Sequence, residues 1–191
     1  ALTGLYNRRK LEQRLHEEIL RTQRSYKPFA LLLLDIDHFK EVNDIHGHAA
    51  GDAVLKALAT VFMREIRDID LVARVGGEEF MLVLPETDGE GARLVAERIR
   101  QAVAAQTVRL ADAMQLNVTA SLGIACYPET ADSAEALMTN ADRAMYAAKE
   151  GGRNRTVVYS RSQKVEGDSL VSAVELIKKS LDHMPAFMAA A

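Results

Sequence analysis

Apolar residues follow two rhythms along this chain, and the switches between them predict its elements. Leu11, Leu15 and Ile19 recur at every fourth position, which puts them on one face of a helix that Asn7 can cap and that runs to about Arg24. Pro28 closes that connection. The run FALLLLD, residues 29–35, has no alternation and reads as a strand buried on both faces. Residues 50–67 return to helical spacing, with Val54, Leu55, Leu58, Phe62 and Ile66 on the inner side. Two short strands follow, residues 71–75 and 80–84, joined through Gly76 and Gly77. A helix over about 89–106, a strand over about 116–127 and a helix over about 133–150 come next; Gly151 and Gly152 stop that helix before a last edge strand in RTVVYS. From Phe29 the order is β-α-β-β-α-β, then α-β. That order predicts an α+β fold of the split βαβ, ferredoxin-like kind: an antiparallel sheet flanked by helices, mainly on one face.

The chain has 191 residues, enough for one domain with a sizeable core and a tail. The domain is expected over 1–160 and the tail over 161–191, where composition turns polar. In the tail Leu170, Val174, Ile177 and Leu181 keep helical spacing; a docking helix, the start of a linker and a frayed end all remain open. Apolar residues make up 48% and charged residues 27%, the proportions of a soluble globular protein. The single cysteine, Cys126, can form no intramolecular disulfide and sits in the apolar run LGIACY, as a small buried residue would. With no signal-peptide pattern and no stretch long enough to cross a bilayer, a cytoplasmic domain is expected. A net charge of −3 argues against a nucleic-acid partner. The start at ALTGLYNRR, without an initiator Met, suggests a piece of a longer protein.

The hairpin RVGGEEF adds candidate chemistry. A tight turn accounts for Gly76 and Gly77 but not for Glu78 and Glu79. The first long strand ends in DIDHF, so Asp35 and Asp37 lie on one side of it at period two. In this strand order the hairpin tip can lie beside that strand end. Carboxylates converging from two elements hold Mg²⁺ or Mn²⁺ with positions left for phosphates. Solvated loop residues are the competing reading for each acid alone. It suits Asp35 least, because an unpaired charge beside a buried strand is costly.

The motifs GGEEF, DIDHFKEVND, HGHAAGD and ADRAMYAAKEGGRNR occur in order, with family-like spacing, between Leu2 and about Ser160. Together they resemble a GGDEF domain, of the diguanylate cyclase family. The resemblance implies a palm-like, nucleotide cyclase-like fold that joins two GTP into cyclic di-GMP and releases two pyrophosphates. It implies two Mg²⁺ or Mn²⁺ ions per active site, a homodimer as the catalytic unit and an upstream sensor domain. By resemblance Asp35, the backbone carbonyl of Ile36 and Glu78 hold the ions, and Asp35, Glu78 and Glu79 are the catalytic set. Glu79 either positions or deprotonates the attacking 3'-hydroxyl or braces the hairpin. Asn43 and Asp52 read guanine; Lys40, Lys149 and Arg153 contact the triphosphate; the amides of His38 and Phe39 cradle phosphate.

Each assignment has a plainer competitor. Asp52 also suits a helix N-cap. Lys149 and Arg153, one helical turn apart, also suit favourable charge at a helix C-terminus. His46 and His48 look like a zinc pair, yet no cysteine or third histidine is near them in sequence, which favours a turn-bracing role. Arg67 and Asp70 form an RxxD placed as in the family's inhibitory product site, with Arg98 as its secondary arginine; a surface ion pair is the alternative. Val75 stands where an aromatic is frequent in the family, and the aspartate that usually precedes this N-terminal stretch would lie before Ala1. Two other functions compete: a catalytically dead module that binds GTP or cyclic di-GMP, and a cyclase or polymerase-like enzyme for another nucleotide.

Overall fold

The computed structural model describes residues 2–110 and 114–160. Its axis is strand β2, counted after the two-residue strand β1 (Tyr6–Asn7) and helix α1 (Arg8–Ser25). All eight residues of β2 (Phe29–Ile36) are buried. Helices α2 (Phe39–His46) and α3 (His48–Glu65) follow, then the hairpin β3 (Leu71–Arg74) and β4 (Glu79–Leu84) and helix α4 (Gly89–Ala105). The chain continues through β5 (Val108–Arg109), β6 (Gln115–Leu116), β7 (Ala120–Tyr127), α5 (Ala134–Glu150) and β8 (Thr156–Val158). The main sheet has the order β1-β3-β4-β2-β7-β8. Its four central strands are antiparallel, while β1 and β8 add to the edges in parallel. This is the predicted α+β, palm-like architecture.

The unbroken apolar run of β2 follows from burial on two sides. Ala30, Leu32, Leu34 and Ile36 pack with Val54, Leu58 and Phe62 of α3 and Ala96, Ile99 and Val103 of α4. Phe29, Leu31 and Leu33 pack with Leu11 and Leu15 of α1 and Leu137, Ala141 and Met145 of α5. Helices therefore cover both faces, not mainly one.

Local differences from the sequence reading have local causes. The expected helix over 50–67 begins earlier, at His48, and ends at Glu65; the separate helix α2 precedes it, and the positive φ of Gly47 (79°) makes the break. The expected strand over 116–127 divides into β6 and β7. Between them the Asn117 amide donates to the Gln106 carbonyl at 3.1 Å, tying the chain to the end of α4 instead of the sheet. Cys126 is buried, and burial pushes its thiol up to about 12, as expected of a packed rather than reactive residue. Residues 161–191, with the tail's apolar spacing, lie outside the described residues. No helix among the described residues is long and apolar enough to cross a membrane.

One close approach positions the later site. A Cβ built on Gly123 of β7 would lie 2.1 Å from the Ala141 carbonyl oxygen and 2.2 Å from the Met145 nitrogen, so the backbone of α5 rests directly on the strand. Gly77, at the hairpin tip, has nothing within 4 Å of such a Cβ. Gly123→Ala is expected to lower unfolding free energy by about 1–3 kcal/mol in urea denaturation, and Gly77→Ala to stay within about 0.5 kcal/mol. Equal effects at the two positions would contradict the close packing of α5 on β7.

Candidate active site

The end of β2 is where the candidate residues meet. Asp35 is in register with Glu79 of β4 on one side and Ser121 of β7 on the other. The Ile36 amide donates to the Glu78 carbonyl at 3.3 Å, which sets the glutamate pair beside the strand end. The hairpin tip is pinned from within: Arg74 donates to the carbonyls of Gly76 (3.2 Å) and Gly77 (2.7 Å), and the Val75 amide donates to the Glu79 carbonyl at 3.0 Å. Glu79 folds back over this tip, since a Cβ on Gly76 would lie 2.4 Å from its Oε2. From the opposite side α5 delivers Lys149, whose Nζ stands 2.9 Å from Asp35 Oδ1.

Asp35 and Asp37 share a side of the strand but have different partners. The Asp37 carboxylate accepts from the Ser121 hydroxyl (2.7 Å), the Thr119 hydroxyl (2.7 Å) and the Asn154 amide (3.0 Å). Asp35 is left with Lys149 as its partner; the Asp37 carboxylate adds like charge to it, and Asp35 in turn adds like charge to the hairpin glutamates.

Burial holds the Asp35 carboxyl above its ordinary range, although the Lys149 hydrogen bond and charge pull it down. Glu78 and Glu79 are raised as well, first by burial and then by the charge on Asp35. Asp142, seven residues before Lys149 on α5, is raised by burial too, and its charge bears on Glu79. Several partly desolvated acids thus share few cations. Two carboxylates, Asp35 and Glu78, with the Ile36 carbonyl offer hard oxygen donors at one strand end, a set that fits Mg²⁺ or Mn²⁺ with phosphate oxygens completing the shell. No group of three or more His, Cys, Asp or Glu side chains suited to a metal occurs among the described residues. His46 and His48 flank the Gly47 break between α2 and α3.

The expected nucleotide contacts line the next loop and helices. His38 is left-handed (φ 58°) at the start of α2, and its Nδ1 lies 2.7 Å from Glu41 Oε1. Phe39 is buried and anchors that helix start, while Lys40 is exposed. Asn43 packs against α3 so closely that a Cβ on Gly51 would lie 2.1 Å from its Oδ1, so a larger residue there would displace the amide. Asp52 follows that glycine and is exposed. Because α3 begins at His48 with Gly47 at its cap position and no side-chain cap bond, Asp52 is not an N-cap.

Lys149 and Arg153 do not share a helical face. Helix α5 ends at Glu150, Gly152 takes φ 111°, and Arg153 (φ 60°) and Asn154 (φ 45°) are left-handed. Arg153 instead heads a turn whose amide returns to the Ala148 carbonyl at 3.0 Å. Its charge still acts on Asp35.

At the far end of β3, Arg67 donates from Nε (3.2 Å) and Nη2 (3.0 Å) to the buried carboxylate of Asp70, and from Nη2 to the Thr87 hydroxyl (2.9 Å). Arg98 is engaged with Glu65 at the end of α3, Nε to Oε2 3.2 Å. Within one chain Arg98 and Arg67 therefore hold separate partners. Sequence reasoning passed over Asn154, Thr119, Ser121 and Asp142. Only Asp142 carried a signal, its two-turn spacing from Lys149.

Comparison with known proteins places these features in a family. Residues 1–155 match the family described as diguanylate cyclase, GGDEF domain. The chain is 44% identical over 157 residues to the diguanylate cyclase DgcP of Pseudomonas aeruginosa, covering 82% of this chain and 23% of that protein. Among solved structures, the GGDEF domain of TpbB (YfiN) from Pseudomonas aeruginosa is similar with a TM-score of 0.81 and 39% identity, covering 84% of this chain and 93% of that one. The GGDEF domain of DgcB from Caulobacter crescentus, solved in complex with c-di-GMP, is similar with a TM-score of 0.79 and 33% identity, covering 83% and 94%. The chain spans less than half the length of the first curated relatives it matches. With the palm-like sheet, the Asp35 strand end and the GGEEF hairpin in place, the chain belongs to the GGDEF domain family of diguanylate cyclases.

Proposed function

We propose that this domain is a diguanylate cyclase that joins two GTP into cyclic di-GMP. The observation that carries the reading is the meeting of Asp35, the Glu78–Glu79 hairpin and Lys149 at the end of β2. Asp35, the Ile36 carbonyl and Glu78 would hold two Mg²⁺ or Mn²⁺ ions, which when bound supply charge neutralisation at the triphosphate. Lys149 leaves Asp35 for a phosphate oxygen, and Lys40 and Arg153 add positive charge along the triphosphate. The amides of His38 and Phe39, at the start of α2, donate to phosphate. Asn43 and Asp52 take the guanine edge, the carboxylate accepting from N1–H and the exocyclic amine.

One domain holds one GTP, so the symmetric product requires two domains facing each other about a two-fold axis. The 3'-hydroxyl oxygen of one nucleotide forms a bond to the α-phosphorus of the other as the bond to pyrophosphate breaks, and the same exchange in the opposite sense closes the ring. The hydroxyl proton passes to Glu79 or to solvent; the fold of Glu79 over Gly76 also suits the bracing role. Arg67 and Asp70, with Arg98 from a neighbouring domain, form a product site that holds domains apart, so inhibition works through orientation. The sensor domain and any membrane attachment belong to the longer protein. The complex of the DgcB GGDEF domain with c-di-GMP supports a product-binding surface on this fold.

The test is incubation with GTP and Mg²⁺, with ATP alone and mixed in parallel, followed by separation of nucleotide products. Cyclic di-GMP with two pyrophosphates per product is expected from GTP alone. GTP binding without pyrophosphate release would leave a binding module, and turnover of ATP would indicate another cyclase.

Three variants separate the parts. Glu78→Gln is expected to keep the parent melting temperature and lower turnover by about 100-fold or more, because a neutral amide is a poor ligand for a hard cation; near-parent turnover would remove the metal assignment. Asp52→Ala should weaken GTP binding by about 1–3 kcal/mol and relax discrimination against ATP. Since Asp52 caps no helix, stability should move by less than about 0.5 kcal/mol, and an intact preference for GTP would refute the guanine contact. Arg67→Ala should abolish cyclic di-GMP binding in calorimetry with initial turnover unchanged; product bound as tightly as by the parent would sink the feedback site.

A further inference from the structure

The buried acid at Asp37 has been given no ligand contact, although its charge bears on Asp35. It is 4% exposed and sits two residues beyond Asp35, yet its carboxylate faces neutral donors only. One donor comes from β7 (Ser121), one from the stretch before it (Thr119), and the third is the backbone amide of Asn154 beyond α5. A carboxylate is an acceptor on both oxygens, so it satisfies all of these donors with no group left over. Among the described residues its partners are these hydroxyl and amide donors rather than a cation, which is unusual for so buried an acid.

What the acid grips is the strained part of the site. Arg153 and Asn154 are consecutive non-glycine residues in the left-handed region, a conformation that asparagine tolerates but that a side chain such as arginine's adopts only where the surroundings fix it. Asn154 is fixed from two sides. Its amide donates to Asp37 at 3.0 Å, and its Oδ1 accepts from Arg100 Nη1 of α4 at 2.6 Å. Arg100 is itself held by Glu97, Nε to Oε2 at 2.9 Å, with its second guanidinium nitrogen on the other carboxylate oxygen. Arg153, immediately before, has its carbonyl taken by Arg155 Nε at 3.1 Å and its amide by Ala148. The turn is thus clamped to the end of β2 on one side and to α4 on the other.

We propose that Asp37 is a positioning residue: with Arg100 it locks the left-handed Arg153–Asn154 turn, so that the Arg153 guanidinium is presented to the triphosphate beside Asp35. This rests on the reading of Arg153 as a phosphate contact. Two acids of one DxD then divide the work: Asp35 faces the ligand, and Asp37 orients the cation that meets it.

The experiment is calorimetric binding of α,β-methylene GTP with Mg²⁺, and of guanosine alone, to the parent chain, Asp37→Ala and Arg100→Met, each also in an Arg153→Ala background. Deleting a carboxylate near a polyanion would by charge alone tighten binding. On the inference both variants weaken the analogue instead, by about tenfold for Asp37→Ala and less for Arg100→Met. Guanosine affinity stays unchanged, and neither variant causes further loss once Arg153 is gone. Analogue and guanosine weakened in parallel, or an undiminished loss in the Arg153→Ala background, would overturn the positioning role. Arg153→Ala binding the analogue as the parent does would instead remove the phosphate reading on which it rests. Should Asp37→Ala fail to fold, Arg100→Met carries the same comparison, because it keeps the aliphatic stem and loses only the bonds to Asn154 and Glu97.

Discussion

The site depends on one constraint: an acid placed at the end of a strand that is buried on both faces. β2 is apolar throughout until Asp35, and a charge there lacks the solvent that would normally stabilise it. Lys149 provides the nearest compensation at 2.9 Å, but burial still holds the acid above its ordinary range. The hairpin glutamates add like charge to the same place. Such an arrangement of partly buried acids costs stability, and on the proposed function a divalent cation would relieve it.

That constraint accounts for features well away from the acids. Lys149 reaches Asp35 only because α5 lies against β7 at Gly123, where any side chain would meet helix backbone. The hairpin presents Glu78 and Glu79 because Arg74 holds its tip carbonyls. The loop between β2 and α2 starts from a left-handed His38, and Asn43 reaches α3 over a glycine. Each is a local packing solution near the end of the central strand β2. The Arg67–Asp70 pair lies at the other end of the β3–β4 ladder, away from the Asp35 strand end.

Much of this was legible in the sequence because it follows from periodicity. The four-residue spacing of Leu11, Leu15 and Ile19 and the unbroken FALLLL run gave the helix and the central strand. The same run also implied cover on both faces, which an expectation of helices mainly on one face did not use. The short helix Phe39–His46 was not legible, since eight residues give barely two turns of pattern and Gly47 separates it from a stronger helix. Four-residue spacing suggested a shared face for Lys149 and Arg153; the glycines after Glu150 end the helix, and backbone dihedrals rather than residue types decide the turn. The different roles of Asp35 and Asp37 were hidden as well. Period two places both on one side of the strand but cannot show that Thr119, Ser121 and a distant amide satisfy only the second.

The most direct measurement is a crystal structure of the domain with α,β-methylene GTP and Mn²⁺, read at the manganese absorption edge. The account predicts anomalous density against the carboxylates of Asp35 and Glu78, with Lys149 moved from Asp35 onto a phosphate oxygen. Nucleotide bound while Lys149 stays on Asp35, with no anomalous signal between the strand end and the hairpin, would contradict it.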